Sequence, residues 1–415
     1  MKKKLLPALI VTGLIILVVI IMGITALINK YTPTKKTEDL KEYFNISSDD
    51  EAALIVDNEL SDYKAKIIDK KIYVDYKFVH DSLNSRFYWD ANENVLLYTT
   101  ASDIISAAAD SNSYSVTKQT NDFGYPIVKA TSDSALIALD YVKQYSNITF
   151  KSYDDPARIV ITSKWDEIDS ATVSKSTQVR VKGGIKSPIL KEVKKDDKIT
   201  ILDSGDKWDK IATEDGVIGY IKGKALSESK KTKLTNPDYE EETFTHIKKD
   251  KDICLAWNQV TSQSANSKVP QVISSTKGIN VMSPTWFYLN DNNGNLADIA
   301  SKDYVSYCHS QGIEVWGLFS NFENTDVDAA YVLTHTSTRT TLINQIMSAA
   351  FNYELDGVNI DFENITEAAY GDSYIEFIRE LAIKCHNNGI SLSVDVTVPA
   401  SFNKFFNRSD MANFA

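Results

Sequence analysis

Cysteine is scarce in this 415-residue sequence, where Cys254, Cys308 and Cys385 are the only three. So few, with no C-x-x-C spacing, exclude a disulfide scaffold, and an odd number leaves at least one unpaired. Buried free thiols are the expectation. Basic charge is also in deficit. Lys and Arg number 45 against 56 Asp and Glu, a net charge of −11 with a pI near 5.1. A surface of that sign repels phosphate backbones, so no nucleic-acid partner is expected. The five histidines, His80, His246, His309, His335 and His386, show no H-E-x-x-H and no metal-ligand spacing, and they read as surface or helix residues. G-x-x-x-x-G-K-[ST], G-x-S-x-G and G-x-G-x-x-G do not occur, which removes the P-loop, the nucleophile elbow and the dinucleotide fingerprint.

What is present is an ordinary globular balance, 43% hydrophobic and 24% charged, over a length that predicts several domains. The one long apolar run lies at the N-terminus. Lys2, Lys3 and Lys4 precede an uncharged stretch over residues 5–28, enough helix to span a hydrocarbon core of roughly 30 Å. It exceeds the about 7–15 residues of a secretory h-region, and Thr25-Ala26-Leu27 is a poor cleavage site. The reading is a retained single-pass anchor over 1–30, with a removed signal as the alternative; the lysines are then cytoplasmic and the bulk of the chain is on the extracellular, cell-wall side. Residues 31–44 read as a polar stalk.

Residues 45–168 alternate short strands with short helices. Strands are predicted within 71–80 and at 94–98, 125–128, 148–150 and 157–161, and helices at 79–83 and 134–145. The order IYVDYKFVHDSL…RFYWDANENVLLYTT resembles the copper amine oxidase N-terminal-like domain, a small α+β module. The resemblance implies adhesion or spacing rather than copper. Residues 169–228 turn all-β, with strands at 179–182, 198–202, 208–212 and 217–221. ILDSGDKWDKI and DGVIGYIKGKAL resemble a bacterial SH3-like domain, which implies contact with cell-wall peptide or glycan. Trp208 and Tyr220 serve equally as core or as ligand platform. The charged stretch 229–242 reads as a linker.

From residue 243 onward, apolar strands at 253–257, 279–283, 313–320, 357–363 and 390–398 alternate with helices at 303–311, 338–352 and 373–387. Gly312 and Gly389 stand where helices should stop. Crossover helices demand parallel strands, hence a doubly wound sheet or a (β/α)8-type barrel. The segment 355–363, Leu-Asp-Gly-Val-Asn-Ile-Asp-Phe-Glu, is decisive. Alternation sends Val358, Ile360 and Phe362 to the helices and Gly357, Asn359, Asp361 and Glu363 to the other face. An amide and two carboxylates in a row cost several kcal/mol unless paired or used. Asp361 and Glu363, about 7 Å apart along a strand, raise one another's proton affinity, as a general acid needs.

Asp356-Gly357-Val358-Asn359-Ile360-Asp361-Phe362-Glu363 resembles the D-G-x-D-x-D-x-E signature of glycoside hydrolase family 18, with Asn359 in place of the second acid. LAWNQV, NVMSPTWF, EVWGLFSN and SVDVTVP are similar to a subgroup acting on spore and cell-wall glycans. The resemblance implies a barrel and a catalytic set of Glu363, Asp361, Asn359 and Asp356. It also implies substrate-assisted, retaining hydrolysis of N-acetylglucosamine-containing glycan, with no metal and no cofactor. Peptidoglycan is favoured over chitin. Trp286, Tyr288, Trp316, Phe319, Asn321 and Asp395, with Thr397 beside it, are candidate substrate contacts, and Pro399 marks that strand's end. Five strands fall short of eight, so the barrel is expected to be incomplete. The alternative is a non-catalytic wall-glycan-binding or tethering protein with a vestigial barrel.

Overall fold

The computed structural model describes residues 2–365 and 367–396. Thr397, Pro399 and the end of the fifth expected strand lie outside them. Helix α1 spans Lys2–Tyr31, and its stretch Leu9–Tyr31 is long and apolar enough to cross a membrane, as either an anchor or a signal sequence would be. The chain divides into two compact units, Met1–Val74 with Lys143–Tyr239 and Asp75–Val142 with Glu240–Ala415. The stretch 45–168 therefore contributes to both.

In the first unit, strand Glu51–Val56 pairs in parallel with Arg158–Thr162 and antiparallel with Glu59–Ile68. A second sheet runs Ile189–Val193, Thr177–Arg180, Ile218–Lys222, Trp208–Thr213, Lys198–Asp203, Glu167–Thr172 and Lys230–Lys233 in spatial order. The last strand corrects the linker reading, since residues 230–233 pair with Glu167–Thr172 as a charged edge strand. The two sheets share one core, in which Ala53 and Ile55 meet Val179, Ile199, Ile211 and Ile221. Trp208 and Tyr220 are both half-buried, flanking the place a Gly183 side chain would fill.

The second unit begins with an antiparallel meander that the sequence reading did not anticipate as a whole: β1 (Phe87–Asp90), β2 (Val95–Thr99), β3 (Ile104–Ala108), β4 (Ser113–Val116) and β5 (Gln119–Asp122), each paired to the next. The helix expected at 134–145 is half strand. Ala135–Ala138 pairs with Val128–Ala130 before α2 (Leu139–Gln144) begins, because a short apolar run has no period that separates the two forms.

Five parallel strands follow: β6 (Leu255–Asn258), β7 (Val281–Leu289), β8 (Glu314–Ser320), β9 (Gly357–Asp361) and β10 (Ser391–Val394). They lie side by side in chain order. That order makes a singly wound parallel arc, the strand order that (β/α) barrels use, and not a doubly wound sheet, whose strand order reverses at a switch point. The intervening helices are α3 (Val269–Ser274), α4 (Lys302–Ser310), α5 (Ala329–Thr334), α6 (Thr336–Tyr353) and α7 (Glu367–Asn387). Gly312 and Gly389, at φ 70° and 69°, stop α4 and α7 in the left-handed conformation that glycine tolerates.

Helix α6 has no side-chain cap from its own preceding residue, His335. The meander supplies one. Buried Asp90 accepts from Thr336 N and Oγ1, each at 2.6 Å, and Glu93 accepts from Ser337 N at 3.0 Å. Tyr88 Oη meets Ser373 Oγ of α7 at 2.8 Å. Between them Arg339 is fully buried, ion-paired to Glu380 at 2.8 Å and lying over the Tyr88 ring at 5.0 Å.

Candidate active site

On β9, Val358 and Ile360 are fully buried and join Phe362 in the core beneath the helices. Alternation therefore turns Gly357, Asn359 and Asp361 to the inner face of the arc, as expected. Gly357 is obligatory there, since a Cβ would come within 2.6 Å of the Trp316 ring. One level up, Asn359 is buried, and its Oδ1 accepts from Trp257 Nε1 at 3.1 Å and from Ser283 Oγ at 2.9 Å. Above it, Tyr288, Ser320 and Asp361 form one row across β7, β8 and β9.

Glu363 stands just past the end of β9, exposed to solvent and with no ion pair among the described residues. Asn321, just past β8, fixes its backbone. Glu363 N donates to Asn321 Oδ1 at 2.8 Å, and Asn321 Nδ2 donates to Glu363 O at 3.0 Å. The amide side chain imitates one more peptide of the ladder and holds the carboxyl at the strand's C-terminal mouth.

Electrostatics single out Asp361. Half burial pushes its carboxyl up to about 6, and the charges of Asp395, Glu363 and Glu323 add to the rise. Burial raises Asp395 as well, while the dipoles of Asn359 and Trp257 pull it down. Glu323 sits on the loop after β8, accepting from Ser320 Oγ at 2.6 Å. The mouth of the arc thus gathers four carboxyls, one of which, Asp361, keeps its proton up to about pH 6.

The structure brings together Glu363, Asp361, Asn359, Tyr288, Asn321 and Asp395. Four other candidates lie elsewhere. Asp356 is at the entry of β9, five residues and about 17 Å of strand from Asp361. Its Oδ2 accepts from Val315 N and His309 Nε2, both at 2.8 Å, so it ties α4 and β8 to β9. Trp286 is fully buried against Tyr304, with Nε1 donating to Asn266 Oδ1 at 2.8 Å. Phe319 stacks on Phe287 at 4.5 Å in the same core. Trp316 faces inward but at the level of Gly357, its Nε1 bonded to Glu314 at 3.0 Å. A bulge between Thr285 and Phe287 puts Phe287 beside Trp286 on the core face and turns Tyr288 to the mouth.

Sequence reasoning missed Trp257, Ser283, Ser320 and Glu323. Trp257 was within reach of the argument used for other strand-end aromatics. Ser320 needed the register, and Glu323, a loop residue, gave no periodic signal. Among the described residues, no cluster of three or more His, Cys, Asp or Glu is placed to hold a metal ion.

No protein-family model matches the sequence, and no curated protein matches it. Solved structures similar to part of it include a chitinase from Chromobacterium violaceum, at 18% identity and TM-score 0.29, covering 34% of this chain and 44% of that one. The spore cortex-lytic enzymes SleL of Bacillus megaterium and Bacillus cereus align at 19% and 18% identity, each with TM-score 0.29 over 34% of this chain and 33% and 34% of theirs. The chain spans less than half the length of each structure named here.

Proposed function

We propose that this chain carries the site of a retaining glycoside hydrolase acting on N-acetylglucosamine-containing glycan, peptidoglycan in the first place, from a membrane anchor on the wall side. One observation carries the reading: a half-buried inner-face carboxyl, Asp361, held up to about 6, beside a solvent-facing one, Glu363, whose backbone is pinned at the C-terminal mouth of the arc. Two carboxyls at the mouth of one strand can divide acid and electrostatic roles in sugar hydrolysis.

Glu363 protonates the glycosidic oxygen as the bond to the anomeric carbon breaks. The acetamido oxygen of the same sugar attacks that carbon, forming a cyclic oxazolinium ion. Asp361 orients the acetamide and balances its positive charge. Water then adds to the anomeric carbon, giving its proton back to Glu363 and restoring the acetamide. Tyr288, in the row of Asp361, lines the sugar. The apolar run Leu9–Tyr31, preceded by Lys2, Lys3 and Lys4, supports the anchor.

Digestion of purified peptidoglycan by the full chain and by Glu363→Gln tests the reading. The variant should release reducing ends at least about a hundredfold more slowly, as loss of a general acid does. Equal release by both would reject catalysis at Glu363 and leave glycan binding as the role of the arc.

A further inference from the structure

The mouth of the arc holds two acids that the reaction above leaves unused, Glu323 on a loop and Asp395 beside Asp361. Ile360 of β9 pairs with Val394 of β10, and Asp395 N donates to Ile360 O at 2.8 Å, so the ladder runs on to this residue. Leu392 and Val394 pack against the core on the helix side, which turns Asp395 to the inner face. Asp361 and Asp395 are therefore lateral neighbours on adjacent strands, which lie about 4.8 Å apart. Beneath them stands Asn359, a buried amide whose oxygen is already taken by Trp257 and Ser283. It can neither lend nor accept a proton.

We infer that Asp361 and Asp395 act as one unit that holds a single proton between them, with Asp395 as the positioning partner that sets the charge on Asp361. The other groups facing this pair fix which member is ionised. Asn359 and Trp257 favour negative charge on Asp395. Burial, Glu363 and Glu323 disfavour it on Asp361, while Tyr374 of α7, a buried phenol that burial and both aspartates keep protonated, faces the pair uncharged. In the resting site the proton sits on Asp361. When positive charge develops on the substrate's acetamide, the proton passes to Asp395 and the negative charge to Asp361, with no change in the net charge of the mouth. The inference rests on the glycosidase reading for its use of that charge, but the pair itself is tested without activity.

Infrared titration of the full chain in detergent micelles follows the carbonyl band of protonated carboxyls. A band with a midpoint near pH 6 is expected, and its loss in Asp361→Asn assigns it. Asp395→Asn should lower the midpoint by about one unit or more, and adding Asn359→Asp to that variant should raise it again by restoring a carboxyl neighbour. A midpoint unmoved by Asp395→Asn would overturn the inference, as would an equal drop produced by Glu323→Gln alone. Peptidoglycan digestion by Glu363→Gln scores the glycosidase reading separately, so a coupled pair in an inactive chain and an uncoupled pair in an active one are distinct results.

Discussion

Asp361 makes the folded chain less stable as the pH rises. Its folded value of about 6 lies above its ordinary value of 3.8. Between those two the folded state holds a proton that the unfolded state has lost, so stability falls as pH climbs through this window and stays reduced above it. Asp361→Asn removes the titration while keeping the shape. Its melting temperature should exceed that of the parent at pH 7.5, and the gain should vanish toward pH 4. Thermal unfolding followed by circular dichroism at both pH values checks this, and a gain of equal size at each would show that the carboxyl does not titrate in the window. The same residue shows what a sequence yields at this scale. Alternation along 357–363 was enough to turn Asp361 inward. The neighbours that raise it, Asp395 on the next strand and Glu323 on a loop, became its neighbours only through the register of β8, β9 and β10.

Among elements, strands with a clean period were legible and their irregularities were not. The reading of β9 stands because Val358 and Ile360 alternate with Asn359 and Asp361. Trp286, read as a sugar contact, lies on the helix side by plain alternation from Ser283 and Thr285, while one extra residue after Thr285 turns Tyr288 to the mouth, and nothing in the local composition announces that bulge. The start of α6 was equally hidden, because its cap is not in its own sequence. Asp90 takes hydrogen bonds from Thr336 N and Oγ1 and also from Asn92 N and Glu93 N. Asp90→Ala leaves these donors unmet and should cost about 2–3 kcal/mol. Denaturant unfolding measures this, and hydrogen exchange should quicken at the first turn of α6 before the rest of the helix. Unchanged exchange there would mean that the cap is idle.

For the whole molecule, domain limits were the least legible feature. Composition placed a border near residue 242, yet residues 75–142 group with the strands and helices after 240. Hydrophobic patterning reports which residues are buried but not against which distant segment. Arg339 and Glu376, both fully buried, are the clearest case. Glu376 is held up by burial and by Glu380, while Arg379 and Arg339 pull it down, and the group lies under the side of the unit that carries Tyr88. A polypeptide beginning at residue 243 would open this charged cluster to water and leave α6 uncapped. Its thermal melt should lack the cooperative transition of the full chain. A sharp transition in that fragment would show the meander to be dispensable.

The contact between Asp90 and Thr336 joins positions 246 residues apart. A ribosome delivers the meander long before the helix it must seal, so the earlier segment has to wait, its docking face bare, until the later one arrives. Such late closure slows assembly and exposes the waiting surface to wrong partners.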